Sequence, residues 1–185
     1  MFADDVLDRL PLRQSVKPTG EASFAFAERK LLDWLSRPAE FQITRYGEGG
    51  QIHAASESAL GEAQSLLREA YGALISFGEP LVHTWICPRE EQLMEPIMQL
   101  RVEAGRAHVL PALGELKQRN ADVQEVELEP DRAVFRAEIR LADLLGYERA
   151  VEGLTGEAAH VLSRLLRYQP ASSGSMPGAG SWYAG

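Results

Sequence analysis

Charged and apolar side chains alternate over residues 125–129 and again over residues 135–140, and few folds can accommodate that pattern. Successive side chains of a β-strand point to opposite faces, so the alternation predicts two half-buried strands. Pro130 and Asp131 interrupt the pattern and predict a tight turn. The two segments are therefore expected to pair as an antiparallel hairpin. The side chains predicted to point inward are Val126, Leu128, Phe135, Ala137 and Ile139.

The outward face of this hairpin carries a stripe of glutamates beside a stripe of arginines. The stripes consist of Glu125, Glu127 and Glu129 on one strand and Arg132, Arg136 and Arg140 on the other. Three exposed arginines alone would indicate a phosphate-binding surface. Opposite charges on adjacent strands can instead pair, which contributes about 0.2 to 1 kcal/mol per pair. The pattern therefore favours a self-neutralised face that is exposed to solvent.

The hairpin lies in the middle of a β-α-β-β-α-β succession that begins at Glu95. The apolar positions upstream are Met98, Leu100 and Val102 in the first strand and Val109, Leu113 and Leu116 in the first helix, which Asn120 can end. The last element, His160 to Tyr168, fits a helix as well as a strand by its periodicity. The order of the elements favours a strand.

Residues 21–92 form a smaller α+β unit in this interpretation. Residues 1–20 precede it, where Pro11, Pro18 and Gly20 predict a lead-in rather than a core element. The elements predicted for the smaller unit are a strand at Phe24 and Phe26, a helix over Glu28 to Arg37, a strand at Phe41 and Ile43, a helix of about twenty residues capped by Ser56, and a strand from Leu81 to Cys87.

The composition is that of a folded globular protein, with 45% hydrophobic and 25% charged residues. The net charge of -8 argues against a strong, non-specific nucleic-acid binder, so no DNA partner is expected. Cys87 is the single cysteine, and no run approaches the roughly eighteen apolar residues of a membrane span. We expect a cytoplasmic protein without a membrane partner. Residues 171–185, rich in Gly and Ser and without charge, are predicted to be a disordered tail.

The sequence lacks the common motifs for catalysis and cofactor binding. Neither a Gly-x-x-x-x-Gly-Lys-[Ser/Thr] nor a Gly-x-Gly-x-x-Gly pattern occurs, so we predict no catalytic, cofactor-binding or metal-binding residue and no enzyme activity. His83 and Cys87 share one face of a predicted strand, but no third ligand or activating acid accompanies them. The loop from Gly47 to Gly50 could bend toward an anion, although Glu48 would repel a phosphate.

Several short segments between Glu95 and Pro170 keep the order and spacing found in a known family. They are Glu95-Pro96-Ile97-Met98, Gly114-Glu115-Leu116, Leu144-Leu145-Gly146-Tyr147, Leu154-Thr155 and a final Tyr168. On these residues the segment resembles the fifth domain of elongation factor G, the ribosomal translocase. The resemblance implies a ferredoxin-like plait.

Residues upstream resemble a truncated fourth domain of the same family. The matching positions are Phe41, Gly49-Gly50 and Gly78-Glu79-Pro80-Leu81-Val82. The family has a further loop and helix before its Glu-Pro-Ile-Met, whereas this chain has only Pro88 to Met94. The family's Leu-Thr-x-Gly-Arg is replaced by Leu154-Thr155-Gly156-Glu157-Ala158, which exchanges a phosphate partner for alanine.

These observations predict an α+β protein whose C-terminal ferredoxin-like βαββαβ plait follows a small, truncated α+β domain. The predicted parts are a lead-in over residues 1–20, the truncated domain over 21–92, the ferredoxin-like domain over 93–170 and the disordered tail over 171–185.

The resemblance implies a non-catalytic protein without a GTPase domain, associated with the ribosome or with a translation GTPase. Contact with rRNA or ribosomal protein is expected at Lys117, Arg119, Arg164 and Arg167. The alternative, favoured by the acidic net charge, is a ferredoxin-like protein-interaction or regulatory module with no ribosome contact.

Overall fold

The computed structural model describes residues 6–27, 29–156 and 159–171, and it contains two antiparallel sheets with helices between their strands. The first sheet consists of β1 (Leu12–Pro18), β2 (Phe41–Tyr46), β3 (Gly49–Ala54), β4 (Ile75–Phe77) and β5 (Leu81–Val82). The second consists of β6 (Trp85–Cys87), β7 (Gln92–Gly105), β8 (Asp122–Leu128), β9 (Arg132–Arg140) and β10 (Ala159–Pro170). The α-helices are α1 (Ala22–Ala27), α2 (Arg29–Leu35), α3 (Glu57–Tyr71), α4 (Val109–Gln118), α5 (Leu141–Leu144) and α6 (Tyr147–Thr155). This architecture confirms the predicted α+β class.

The second sheet has the strand order β10-β7-β9-β8, which is the ferredoxin-like arrangement of a β-α-β-β-α-β chain. One face is covered by α4 and α6, and it buries Met98, Leu100 and Val102 completely. Phe135 of β9 is also fully buried on that face. The assignment of the last element as a strand is confirmed by β10, which pairs with β7 from Met94 to Ala104.

The first sheet has the order β2-β3-β1-β4, so β1 lies inside it and also pairs with β5. The prediction that the first twenty residues form a lead-in without a core element is therefore wrong. Leu12 and Val16 of β1 are buried, and Gln14 between them is buried as well. The polar Gln14 interrupts the apolar pattern of β1, so the sequence did not predict this strand. Gln14 can be buried because its side-chain amide bonds to Gln64 and to the Gly78 carbonyl oxygen, both at 2.7 Å.

The strand predicted at Phe24 and Phe26 is also wrong, because these residues belong to α1. Ala22 and Phe26 are both buried, and a separation of four residues puts them on one face of a helix. The helix that Ser56 caps is confirmed, with the Ser56 side chain accepting a hydrogen bond from the Ala59 amide. It ends earlier than predicted, at Tyr71, and a short 3-10 helix follows.

Two further expectations on the connections are corrected by the structure. The predicted strand over Leu81 to Cys87 is two strands, β5 in the first sheet and β6 in the second, so this segment links the sheets. Gly47 lies in the turn of the β2–β3 hairpin rather than before a helix. Because β3 separates this turn from α3, the loop is not at a helix N-terminus and has no basis as an anion site.

The predicted inward face of β8 is only partly correct. Val126 and Leu128 lie on the same face as Phe135 and Ala133, their cross-strand partners. They are nevertheless 43% and 62% exposed, because β8 is the edge strand of the sheet and its helix cover is incomplete. Residues 172–185 of the predicted tail lie outside the described residues. No helix within the described part is long and apolar enough to cross a membrane.

Candidate functional site

The face of the second sheet opposite α4 and α6 is a network of ion pairs, which we call the ion-pair face. Arg136 donates hydrogen bonds to Glu125 and to Glu127, and its N–O distance to Glu127 is 3.0 Å. Arg132 contacts Glu129 at 2.6 Å. The predicted pairing of the two stripes is therefore confirmed for Arg132 and Arg136, whereas Arg140 pairs with Asp143 at 2.7 Å.

These contacts change the proton affinity of the paired groups. The hydrogen bonds to Glu127 and Glu125 raise the pKa of the Arg136 guanidinium. The hydrogen bond from Arg132 lowers the pKa of the Glu129 carboxyl. All of these groups are exposed, so each pair contributes little stability but occupies the arginine. The arginine stripe is thus engaged by carboxylates rather than presented to a phosphate.

Two of the four predicted contact residues lie on β10 at this same face. Arg164 donates from its Nε to Gln99 Oε1 at 2.8 Å, and its partner is neutral. Arg167 pairs with Glu138 at 2.7 Å. A bulge between Leu165 and Arg167 shifts the register of β10 against β7. Among the described residues no carboxylate pairs with Arg164, whereas the charge of Arg167 is paired.

The other two predicted contact residues are at the C-terminal end of α4, on the opposite, helix-covered side of the sheet. Arg119 is largely buried, with its side chain 22% exposed. It contacts Glu115 at 2.9 Å and donates to the carbonyl oxygens of Asp143 and Leu145 at 3.0 and 2.7 Å. Its guanidinium also lies 5.8 Å from the ring centroid of Tyr147. Arg119 therefore joins α4 to the segment between α5 and α6.

Lys117 is the contrasting neighbour of Arg119. It is exposed, and its ammonium group makes no hydrogen bond or ion pair with another described residue. The structure therefore does not bring the four predicted residues onto one face. Lys117 and Arg119 lie on the helix side, and Arg164 and Arg167 lie on the ion-pair face. Of the loop singled out for its lost arginine, Leu154 to Gly156 end α6, and Glu157 and Ala158 lie outside the described residues.

A cleft of about 410 Å³ separates α3 from the start of α6. The Glu57 carboxylate crosses it and accepts a hydrogen bond of 2.8 Å from the Gly146 amide. Glu148 lines the same cleft, where burial and the charge of Glu57 raise its pKa to about 7. The contact between Glu57 and Gly146 was not predicted from the sequence, because the two residues are 89 positions apart and carry no motif.

A second contact region joins the N-terminal segment to β10. The Tyr168 hydroxyl donates to the carbonyl oxygen of Asp8 at 3.1 Å, and burial raises the pKa of Tyr168 to about 12. His83 and Trp85 pack edge-on against the Tyr168 ring, at centroid distances of 6.4 and 6.2 Å. Burial and the nearby charge of Arg13 lower the pKa of His83, and the Asp8 carboxylate opposes this shift. His83 therefore packs against the Tyr168 ring, and its Nε2 lies 3.8 Å from the Asp8 carboxylate.

The residues of the second sheet are similar in sequence to known proteins. Residues 92–176 match the family described as "Elongation factor G C-terminus". The chain is 32% identical over 80 residues to "Ribosome-releasing factor 2, mitochondrial" of Bos taurus, which covers 43% of this chain and 10% of that protein. It is 32% identical over 76 residues to "Elongation factor G 2" of Desulfotalea psychrophila, covering 41% of this chain and 11% of that protein. This chain therefore spans about a tenth of the length of the curated relatives it matches.

A solved structure extends the similarity of fold to the first sheet. The crystal structure of ttk003000868 from Thermus thermophilus matches 88% of this chain and 41% of its own length, with a TM-score of 0.58. Its sequence identity of 17% shows the fold alone. The family match begins at Gln92, the first residue of β7, whereas the fold match covers most of the chain. Residues 92–176 are therefore similar in sequence to the C-terminal region of elongation factor G, whereas the rest of the chain resembles a solved structure in fold alone.

Proposed function

We propose that this chain is a non-catalytic, elongation factor G-like protein that associates with the ribosome through its ferredoxin-like region. The observation that carries the proposal is the match of residues 92–176 to the elongation factor G C-terminus, on a fold that has the corresponding strand order. The name of the Bos taurus relative, a ribosome-releasing factor, supports the same partner. The missing phosphate-loop motif supports a role without nucleotide hydrolysis by this chain.

The contact surface favoured by the geometry is the helix side, at the C-terminal end of α4. Lys117 is exposed there, and no carboxylate of the described residues neutralises it. Arg119 fixes the end of α4 through two backbone carbonyls, so Lys117 projects from a rigid support. On the ion-pair face most arginines are already paired, and a phosphate would have to compete with their carboxylates.

The partner at this surface is rRNA, a ribosomal protein or a translation GTPase that acts with the ribosome. Each lysine that contacts a phosphate releases counterions, so binding weakens as the salt concentration rises. A protein with a net charge of -8 gains no general attraction to RNA, so its contact must be local. We expect weak binding with a shallow dependence on salt. The compartment stays a prediction, since the names of relatives include mitochondrial proteins.

Co-sedimentation of the purified chain with ribosomes at two salt concentrations tests the proposal. We expect the parent chain to sediment with ribosomes at low salt and less at high salt. Lys117→Glu should weaken binding about fivefold, or roughly 1 kcal/mol. Arg164→Glu is the matched control, since it reverses the same charge on the opposite face.

The result also tests the predicted contacts at Arg164 and Arg167. A larger loss for Arg164→Glu or Arg167→Glu than for Lys117→Glu would move the contact to the ion-pair face. A chain that never sediments with ribosomes, even at low salt, would refute the ribosome contact. If that chain binds an isolated translation GTPase, the GTPase is the partner.

The second candidate is a protein-interaction or regulatory module without ribosome contact. The self-neutralised ion-pair face and the acidic net charge favour it, because both reduce affinity for RNA. Capture of one specific protein from ribosome-free lysate, together with no ribosome binding, would support this candidate. Ribosome binding that depends on Lys117 would exclude it.

A further inference from the structure

The edge strand β8 has one free long side. It pairs with β9, and within the described residues no strand pairs with its other edge. Six of its seven residues are exposed, all except Val123. Edge strands present unpaired backbone groups that can accept an additional strand. The side chains of β8 determine which partner strand can pair with it.

The backbone register shows which groups point outward. The backbone amide of Glu129 donates to the carbonyl oxygen of Arg132 at 2.9 Å, so these two residues form a hydrogen-bonded pair at the hairpin end. In an antiparallel pair, hydrogen-bonded and non-hydrogen-bonded positions alternate. Glu127 and Glu125 therefore bond to β9, whereas the amides and carbonyls of Val126 and Leu128 point away from it.

The two faces of β8 differ in chemistry. On one face, the apolar side chains of Val126 and Leu128 are 43% and 62% exposed. On the other face, Glu125 and Glu127 share a single guanidinium, that of Arg136. Two carboxylates against one cation leave a net negative charge along the edge. The free edge is therefore apolar on one side and acidic on the other.

We propose that β8 binds, by strand addition, an extended segment of a partner protein in which Lys or Arg alternates with apolar residues. The backbone of such a segment would bond to Val126 and Leu128. Its apolar side chains would cover theirs, and its cations would lie beside Glu125 and Glu127. The proposal does not rest on the ribosome contact, since β8 and Lys117 are different surfaces.

A second copy of this chain does not fit the same edge by two-fold pairing. In that arrangement the glutamates of one β8 would face those of the other, and like charges directly opposite are destabilising. In each copy, Glu125 and Glu127 share the single guanidinium of Arg136. Charge complementarity thus favours a basic segment from another protein.

Fluorescence anisotropy with labelled synthetic peptides of the seven-residue length of β8 tests the proposal on the full chain. One peptide alternates Lys and Val, the second contains the same residues in two blocks, and the third alternates Glu and Val. We expect the alternating Lys peptide to bind at least about tenfold more tightly than either other peptide. Equal binding of the alternating and block peptides would overturn the proposal, since it would indicate charge attraction alone.

Val126→Pro removes one outward amide while leaving the hydrogen bonds to β9 in place, as edge strands tolerate. It should abolish binding, and Glu125→Gln with Glu127→Gln should weaken it at low salt. In the parent chain, NMR titration should shift the amides of Val126 and Leu128 more than those of Glu125 and Glu127. The NMR result is independent of whether the proline variant folds. Shifts located elsewhere, or self-association of the chain that Val126→Pro abolishes, would overturn the proposal.

Discussion

Arg119 and Lys117 show how the environment of a cation decides its role. They are two positions apart at the end of α4, yet Arg119 is bound to two backbone carbonyls and Lys117 is exposed. Their difference was not predictable from the sequence, because the carbonyls that Arg119 contacts are 24 and 26 positions away. A basic residue near a helix end is typical of both roles.

Arg119→Ala is expected to destabilise the protein by about 2 kcal/mol, since it removes hydrogen bonds between a charged group and two partly buried carbonyls. Arg119→Lys should recover only part of this loss, because an ammonium cannot reproduce the planar guanidinium contacts. Urea unfolding measures both changes. Lys117→Ala is the control, with an expected change within about 0.5 kcal/mol. Similar losses at the two positions would contradict the structural role of Arg119.

Glu148 is expected to make the stability of the protein depend on pH. Its pKa of about 7 in the fold exceeds the ordinary value of 4.5, so between these pH values the folded protein holds a proton that the unfolded chain has released. The free energy of unfolding should therefore fall as the pH rises from about 4.5 to 7, and level off above.

Glu148→Gln should remove this dependence. Because the carboxyl is partly exposed to solvent, we expect a gain of only about 1 kcal/mol at pH 8 and almost none at pH 4. Thermal unfolding at several pH values measures the effect. Glu79→Gln, which removes an exposed carboxyl, should leave the profile unchanged. A parallel loss of the pH dependence in both variants would place its origin elsewhere.

At the scale of elements, periodicity predicted the second sheet better than the first. The central strands β7 and β9 of the second sheet alternate cleanly, and the order of its elements is that of a compact local unit. In the first sheet, β1 alternates through the buried polar Gln14, whose partners lie 50 and 64 positions away. Such tertiary hydrogen bonds leave no local signal. The exposure of Val126 was not predicted either, because it follows from the place of β8 at the edge of the sheet.

Gly49 in β3 and Gly61 in α3 differ in the space around them, and this difference gives a prediction. A Cβ at Gly49 would collide with the Val16 carbonyl oxygen of β1, which as backbone cannot move aside. Gly49→Ala should therefore destabilise the fold by about 2 kcal/mol or more. Gly61→Ala in α3 meets no atom within 4 Å and should stabilise the fold by about 0.5 to 1 kcal/mol. Chemical denaturation compares the two, and the same sign for both would contradict this packing.

At the scale of the whole molecule, a few contacts join the two sheets across the cleft and at the N-terminal segment. The Glu57 carboxylate binds the Gly146 amide at the N-cap of α6, where a negative charge also complements the helix dipole. Tyr168 binds the Asp8 carbonyl. The domain boundary near residue 92 stays a prediction, because these contacts join residues before it to residues after it.

Glu57→Ala should leave the Gly146 amide without its partner and destabilise the protein by about 1 to 3 kcal/mol. Glu57→Gln keeps an acceptor oxygen and should lose less. Hydrogen exchange at Gly146 measures the contact directly, with faster exchange expected in the alanine variant. Unchanged exchange at Gly146 in Glu57→Ala would show that this contact does not join the sheets in solution.

The central claim is that the elongation factor G-type region contacts the ribosome at the end of α4. Hydrogen exchange of the full chain, alone and with ribosomes in excess, tests it most directly. We predict slower exchange in peptides that contain Lys117, with β1 of the first sheet unchanged. Exchange that ribosomes leave unaltered throughout residues 92–171 would contradict the claim.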